Sequence, residues 1–436
     1  MWMNKIINLH RVFVITAILV IFLCVLFLTS CGRNETDRES VSVQDFTQAP
    51  EKFSLPKRIA LNTYMNYSVL KGDRSGFVAM FAHNGTVIYE NAVGWANLGL
   101  KKPMQLDTKM RFASMTKPIT AVAALILIEN QQLSLDDPVS KFIPEYKDSK
   151  VSKNESLRPD GSFETEPVNS PLKVKHLLTF SSGIGPGYSV SSDLHDYWLK
   201  NGLRQQKSGD LSERVKHLAS LPLFANPASK WRYGGSADVL ARVVEVVSEV
   251  PFDVFLDENI FEPLGMRDTR FLHAVSNRDD LAVVYTQAEN GDLVQAPLQI
   301  DSDWNEGGSG LVSTASDYMR FALMLWNQGE YDGVRILSEE MISNMIHPHI
   351  ESGVFESRGA EGLGWGLGIG VVTEEEASIP SSKGDVFWGG YYGTTFFVSP
   401  STNLVGVILS QNEMSEYSGE YQVPIYTVQA IALSGR

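Results

Sequence analysis

The spacing of apolar and polar positions changes several times along this chain, and each change marks an element. Residues 76–83 and 86–93 are β-rich runs on either side of Asn84-Gly85, a dipeptide that accepts the backbone of a two-residue hairpin. The run from Ala121 to Asn130 is built of Ala, Leu, Ile and Val and is long enough to be a buried helix rather than a strand. It stops near Gln131-Gln132, before the turn-rich segment 134–138. Residues 147–171 are dominated by Ser, Lys, Glu, Asp, Gly and Pro and read as a long surface loop. Helical periodicity returns over 211–221, 237–250 and 314–328, the last opened by Thr314 with Asp317 three residues on. Residues 386–398 and 404–410 look like a second hairpin around the turn 399–403. Strands near both ends with helices between them predict an α+β fold: one antiparallel sheet assembled from the two chain ends, with a helical region inserted. No internal repeat is present.

Composition fits a globular protein. Of 436 residues, 43% are apolar and 20% charged, enough apolar material for a large core. The formal charge is −14, and no basic stripe or aromatic-basic run occurs, so nucleic acid is excluded as a partner.

The N-terminus carries a different signal. Lys5 and Arg11 precede an apolar run from Val12 to Leu28, followed by Thr29-Ser30-Cys31, which is the layout of a signal peptide. Leu28-Thr29-Ser30-Cys31 resembles a bacterial lipobox. That resemblance implies cleavage after residue 30, a lipid on Cys31, and a polar tether over 31–52. An uncleaved membrane anchor is the other reading, since the run sits at the short end of spanning length. Both put residues 53–436 outside the cytoplasm, as part of a cell-envelope protein held to a membrane. Gly32, rather than Asp, after the cysteine fits outer-membrane sorting in a Gram-negative cell. Cys24 and Cys31 are the only cysteines, so the mature chain can build neither an internal disulfide nor a Cys-based metal site.

Ser114-Met115-Thr116-Lys117 is a Ser-x-x-Lys, the pattern of acyl-transfer enzymes in which lysine replaces histidine. Side chains at i and i+3 of a helix lie about 5–6 Å apart. A lysine whose ammonium is destabilised by burial can then take the serine's proton. The same spacing recurs at Ser54/Lys57, Ser68/Lys71 and Ser170/Lys173. Only Ser114 follows a strand hairpin and opens a buried helix.

The surrounding residues add a resemblance. Arg111 to Pro118, Leu133-Ser134-Leu135-Asp136-Asp137-Pro138 with Pro144, and Lys175 to Gly183 are similar to successive motifs of the class C β-lactamase-related serine hydrolases. Trp231-Arg232-Tyr233, Pro263 to Thr269, Gly307 to Thr314 and Trp388-Gly389-Gly390 follow in the family's order. Phe180 and Ser181 depart from it. The resemblance spans about Phe53 to Gln411, and several motifs in one order are far more specific than any one of them.

That resemblance implies the remaining roles. Tyr233 falls on the family's second catalytic element, a Tyr-x-Asn, and would exchange a proton with Ser114. The asparagine is replaced by Gly235, whereas the literal match Tyr64-Met65-Asn66 lies before the nucleophile and outside any family context. Where β-lactamases and D,D-peptidases carry Lys-Thr-Gly, this chain has Trp388-Gly389-Gly390, similar to family VIII carboxylesterases. An indole offers no cation to a substrate carboxylate, which favours esters over β-lactams. The backbone N–H groups of Ser114 and Tyr391 would form the oxyanion hole.

The implied architecture is the β-lactamase/transpeptidase-like fold, with a sheet lobe over about 53–113 and 305–436 and a helical lobe over about 114–304. The implied activity is that of a carboxylesterase-type serine hydrolase acting on a small-molecule ester or amide, with no cofactor. A β-lactamase, a D,D-peptidase or D-aminoacyl hydrolase acting on cell-wall peptides, and a non-catalytic envelope-binding protein on the same fold are the alternatives. Gly-x-Ser-x-Gly is absent, which argues against an α/β-hydrolase elbow. Gly307 to Gly310 reads as a loop lining the site. His347-Pro348-His349 lacks an acidic partner at ligand spacing and reads as a loop, and His176 as structural.

Overall fold

A computed structural model describes residues 53–187, 192–203, 209–297, 304–350, 361–413 and 422–434. Its frame is an eight-stranded antiparallel sheet. The strands are β1 (Gly76–His83), β2 (Thr86–Asn97), β3 (Lys102–Pro103), β4 (Leu363–Trp365), β5 (Gly370–Val372), β6 (Val386–Gly390), β7 (Thr394–Ser399) and β8 (Leu404–Leu409), in the spatial order β4-β5-β6-β7-β8-β1-β2-β3. The N-terminal hairpin thus pairs with the C-terminal strands, Val78 opposite Leu409 and His83 opposite Leu404. Asn84 and Gly85 both have positive φ, 49° and 77°, as a tight hairpin requires.

Alternation along β1 divides its residues between two cores. Phe77, Ala79 and Phe81 face one apolar cluster. Val78, Met80 and Ala82 face the other. A sheet buried on both faces has continuous apolar strands, and that is why β1 and β8 read as unbroken runs.

The first face is covered by helix α1 (Leu55–Lys71), with Leu61 and Met65 turned inward, and by α6 (Val423–Leu433). The second face carries α2 (Thr116–Glu129), α3 (Leu211–Ala219), α4 (Ser236–Ser248) and α5 (Ala315–Trp326), all joined in one core. Thr314 caps α5 as expected, its side chain accepting the Asp317 N–H.

Four details depart from the sequence expectations. Residues 147–171 hold a hairpin, Lys150–Leu157 paired with Phe163–Pro167, rather than a long loop. Most of its side chains are exposed, so backbone pairing forms it without leaving an apolar alternation to read. The run 386–398 is two strands, β6 and β7, because the turn at 391–393 sits inside a stretch buried on both sides. Ser114 does not start the α-helix: a 3₁₀ turn, Ala113–Met115, precedes α2. Helices α1 and α6 had no counterpart in the sequence expectations, for α1 mixes exposed apolar residues with buried ones and its stripe is blurred. Among the described residues no helix is long and apolar enough to cross a membrane. The run 12–28, Cys31 and the tether lie outside the described residues.

Candidate active site

The junction of β6 and β7 meets the helical region at the 3₁₀ turn. Phe112 donates its N–H to the Leu311 carbonyl at 3.0 Å, and Thr116 Oγ1 donates to the Ala113 carbonyl at 2.7 Å, so the backbone on both sides of Ser114 is held. Ala113 has φ +46°, a left-handed conformation that costs a non-glycine residue of order 1–2 kcal/mol. From the sheet side, Gly390 approaches so closely that a Cβ there would lie 2.3 Å from the Phe112 carbonyl oxygen. Only glycine permits that contact. Thr394 Oγ1 donates to the same carbonyl at 3.2 Å. Gly389 precedes Gly390 on β6, and Tyr391 follows it in the turn at this junction, 41% exposed.

Three side chains converge at the turn. Lys117 Nζ lies 3.1 Å from Ser114 Oγ, and Tyr233 Oη donates to the same Oγ at 2.5 Å. The Tyr233 ring has Lys117 Nζ 4.5 Å from its centroid, while Phe180 stacks on it at 5.6 Å. Trp388 stands 5.9 Å from the same ring and is packed edge-on against Trp365. Phe180, which breaks the family pattern, therefore packs against the Tyr233 ring.

Gly235 explains the missing asparagine. A Cβ at Gly235 would meet Leu218 Cδ1 at 3.0 Å and Ile184 Cγ2 at 3.3 Å, so a side chain there would have to displace two apolar groups. The position instead caps α4.

Electrostatics set the three groups apart. Burial lowers the Lys117 pKa to about 8, with Asp238 and Glu306 opposing the shift. Burial also pushes the Tyr233 phenol up from its usual value, while its hydrogen bond with Ser114 and the nearby Trp388 indole pull the other way. The phenol is thus protonated at neutral pH. The lysine is the group whose proton is easily displaced.

Lys117 has a second anchor. Its Nζ donates to the Gly308 carbonyl at 2.6 Å, and the Gly308 N–H donates to Asp238 Oδ1 at 3.0 Å. Asp238 Oδ2 lies 3.8 Å from Arg214 Nε, and all three charged residues are buried. Thr120 Oγ1 holds the neighbouring Gly307 carbonyl at 2.7 Å. The loop 307–310 thus lines the site as its sequence suggested. Asp238 and Arg214 were missed by sequence reasoning; an acid inside the apolar stretch Ala237 to Leu240 was the available signal.

The other serine–lysine pairs go elsewhere. Lys57 donates to the carbonyls of Ala432 and Ser434, Lys71 pairs with Asp73 at 3.1 Å, and Lys173 with Asp136 at 3.0 Å. Tyr64 lies on α1, under the opposite face of the sheet. His176 Nδ1 accepts the Lys173 N–H at 3.1 Å, and burial draws its pKa down to about 4, so it is a neutral structural cap. His349 Nε2 lies 3.0 Å from the Asn344 carbonyl, and no group that could hold a metal occurs among the described residues.

Known proteins resemble the chain over most of its length. The Beta-lactamase family model matches residues 46–422. An uncharacterized protein of Mycobacterium tuberculosis is 32% identical over 351 residues, covering 78% of this chain and 86% of its own. Esterase EstB of Burkholderia gladioli is 30% identical over 384 residues, covering 80% and 89%. The solved structure of EstCE1, described as a hydrolase with promiscuous acyltransferase activity, superposes with a TM-score of 0.72 at 26% identity, covering 86% of this chain and 100% of EstCE1. Its sheet, its ordered motifs and these relatives together place the chain in the Beta-lactamase family, as a serine hydrolase with the β-lactamase/transpeptidase-like fold.

Proposed function

We propose that this protein is a carboxylesterase of the cell envelope, working through an acyl-enzyme on Ser114. The observation that carries this reading is the convergence of Lys117 and Tyr233 on one Ser114 oxygen beside an uncharged Trp388. Ser114 Oγ attacks the ester carbonyl. Its proton passes to neutral Lys117, directly or with Tyr233 handing on its own, and is returned to the departing alkoxide. The N–H groups of Ser114 and Tyr391 hold the oxyanion, each worth about 10²–10³ in rate. Water then repeats the sequence against the acyl-enzyme, and the carboxylic acid leaves.

Trp388, Gly389 and Gly390 form the wall along which the substrate lies. Lys117 is already committed to Ser114 and Gly308, so the carboxylate of a β-lactam meets an indole where it needs a cation. The similarity to EstB, named an esterase, supports ester hydrolysis. The membrane attachment is a lipid on Cys31. The deciding measurement compares kcat/KM for p-nitrophenyl butyrate with that for a chromogenic cephalosporin. We expect the ester to be favoured by at least about two orders of magnitude, the loss typical of an unpaired carboxylate; preference for the cephalosporin overturns the reading.

A further inference from the structure

Helix α1 presents an outward face that its packing does not require. Its inner side is fixed to the sheet through Leu61, Met65 and Ser68. On the outer side Leu55, Ile59, Tyr67 and Leu70 are 67%, 47%, 57% and 87% exposed. At 100° per residue these four fall within about a third of the helix circumference, a sector they share with the exposed Thr63 and Asn66. Arg58 lies on one flank of that sector and Lys71 on the other.

The charge of this layer is out of keeping with the molecule. The chain holds 51 acidic residues and a formal charge of −14. Yet residues 53–72 and 422–434, which contain α1 and its neighbour α6, include no Asp or Glu. Lys57 is bound to the carbonyls at the end of α6 and Lys71 is paired with Asp73 at 3.1 Å, leaving Arg58 as the basic edge. Exposed apolar side chains on a helix that carries no acid of its own, beside a basic residue, suit the interface of an anionic bilayer.

The chain's own order says what covers these side chains. The apolar run 12–28 and Cys31 precede a polar segment that ends at Lys52, and α1 begins at Leu55. Among the described residues, the helix nearest the attachment point in the chain is the one with these exposed apolar side chains. We propose that α1 docks flat on the anionic membrane surface to which the N-terminus is attached, through Leu55, Ile59, Tyr67 and Leu70. This rests on the membrane attachment proposed above and adds an orientation to it. Because α1 covers the sheet face opposite the one that carries Ser114, docking turns the catalytic side away from the lipid.

The test uses the full chain in vesicles of phosphatidylethanolamine and phosphatidylglycerol. A nitroxide is placed on Leu70→Cys and, as a control, on Leu100→Cys in the β2–β3 turn, which is 78% exposed. Relaxation by oxygen, which concentrates in lipid, is compared with relaxation by an aqueous nickel chelate. The expected result is a label at 70 that favours oxygen several-fold over the label at 100, and a difference that shrinks when phosphatidylcholine replaces the anionic lipid. Equal aqueous exposure at both positions, with the chain still in the vesicle pellet, overturns docking but leaves the attachment standing. Release of the chain into the supernatant overturns both. Protection of position 70 in detergent that grows with protein concentration overturns docking in favour of a second copy of this chain. Ester hydrolysis, measured in parallel, is unaffected in every case, which separates these outcomes from the fate of the esterase reading.

Discussion

The two faces of the central strands β1 and β8 are both buried, in opposite ways. Under α1 and α6 the core is hydrocarbon and aromatic ring: Phe81 has Phe53, Tyr89 and Phe397 around it at centroid distances of 5.6, 5.8 and 6.3 Å. On the other face the apolar core extends to a Lys117, an Asp238 and an Arg214 that are themselves buried. Burying ammonium, carboxylate and guanidinium costs folding energy that partners only partly restore. The Ser114, Lys117 and Tyr233 cluster lies on the face with that cost. The first face stabilises, and the second spends part of that stability on reactivity.

The sharpest way to break this contrast is Ser114→Ala. It removes one oxygen from the polar face and nothing from either core. We expect kcat for p-nitrophenyl butyrate to fall by at least about 10⁴-fold, while the urea midpoint stays within the range of a surface substitution. Residual hydrolysis near the wild-type rate would relocate the nucleophile. Phe81→Ala is the mirror experiment. It opens a cavity among three rings, so unfolding free energy should drop by about 3–5 kcal/mol, with kcat/KM of the protein that remains folded changed by less than about twofold, as expected for well-separated sites. A large change in kcat/KM would mean that the two faces are mechanically coupled through the sheet.

The central strands of the sheet were legible in sequence as unbroken apolar or β-branched runs around local turns such as Asn84-Gly85, whereas α1 and α6, which cover the apolar face, were not. The break between β6 and β7 was not, since a strand buried on both sides shows no change of polarity where it turns. The hairpin over residues 150–167 was hidden for the opposite reason: nearly everything in it is polar. At the site, Ser114, Lys117 and Tyr233 were legible through ordered motifs, and the four Ser-x-x-Lys candidates could not have been ranked by spacing alone. Asp238 and Arg214 escaped because their effect runs through the Gly308 peptide, and no spacing rule joins residues 117, 238 and 308. Gly235 looked like a defect until Leu218 and Ile184 were seen to fill the space of the absent side chain.

The smallest expected effect tests that hidden relay. In Asp238→Asn the amide oxygen can still accept the Gly308 N–H, so the 2.6 Å contact from Lys117 to the Gly308 carbonyl is retained. What disappears is a negative charge that favours the ammonium form of Lys117. The lysine pKa, already lowered to about 8 by burial, must then fall further, and Arg214, with one anionic neighbour fewer, pushes it the same way. Glu306 still opposes the shift. If neutral Lys117 is the proton acceptor, kcat/KM rises with pH through the lysine pKa. The acid limb should therefore move to lower pH by about one unit in Asp238→Asn, as expected for loss of a nearby charge. Asp238→Ala loses the Gly308 acceptor as well, and should show the same displaced limb with a plateau lower by about tenfold, the scale of one hydrogen bond to a charged group. A limb that stays in place in both variants would remove Lys117 from the proton path. Tyr233 would then need another explanation for accepting a proton, because burial makes its phenolate harder, not easier, to form.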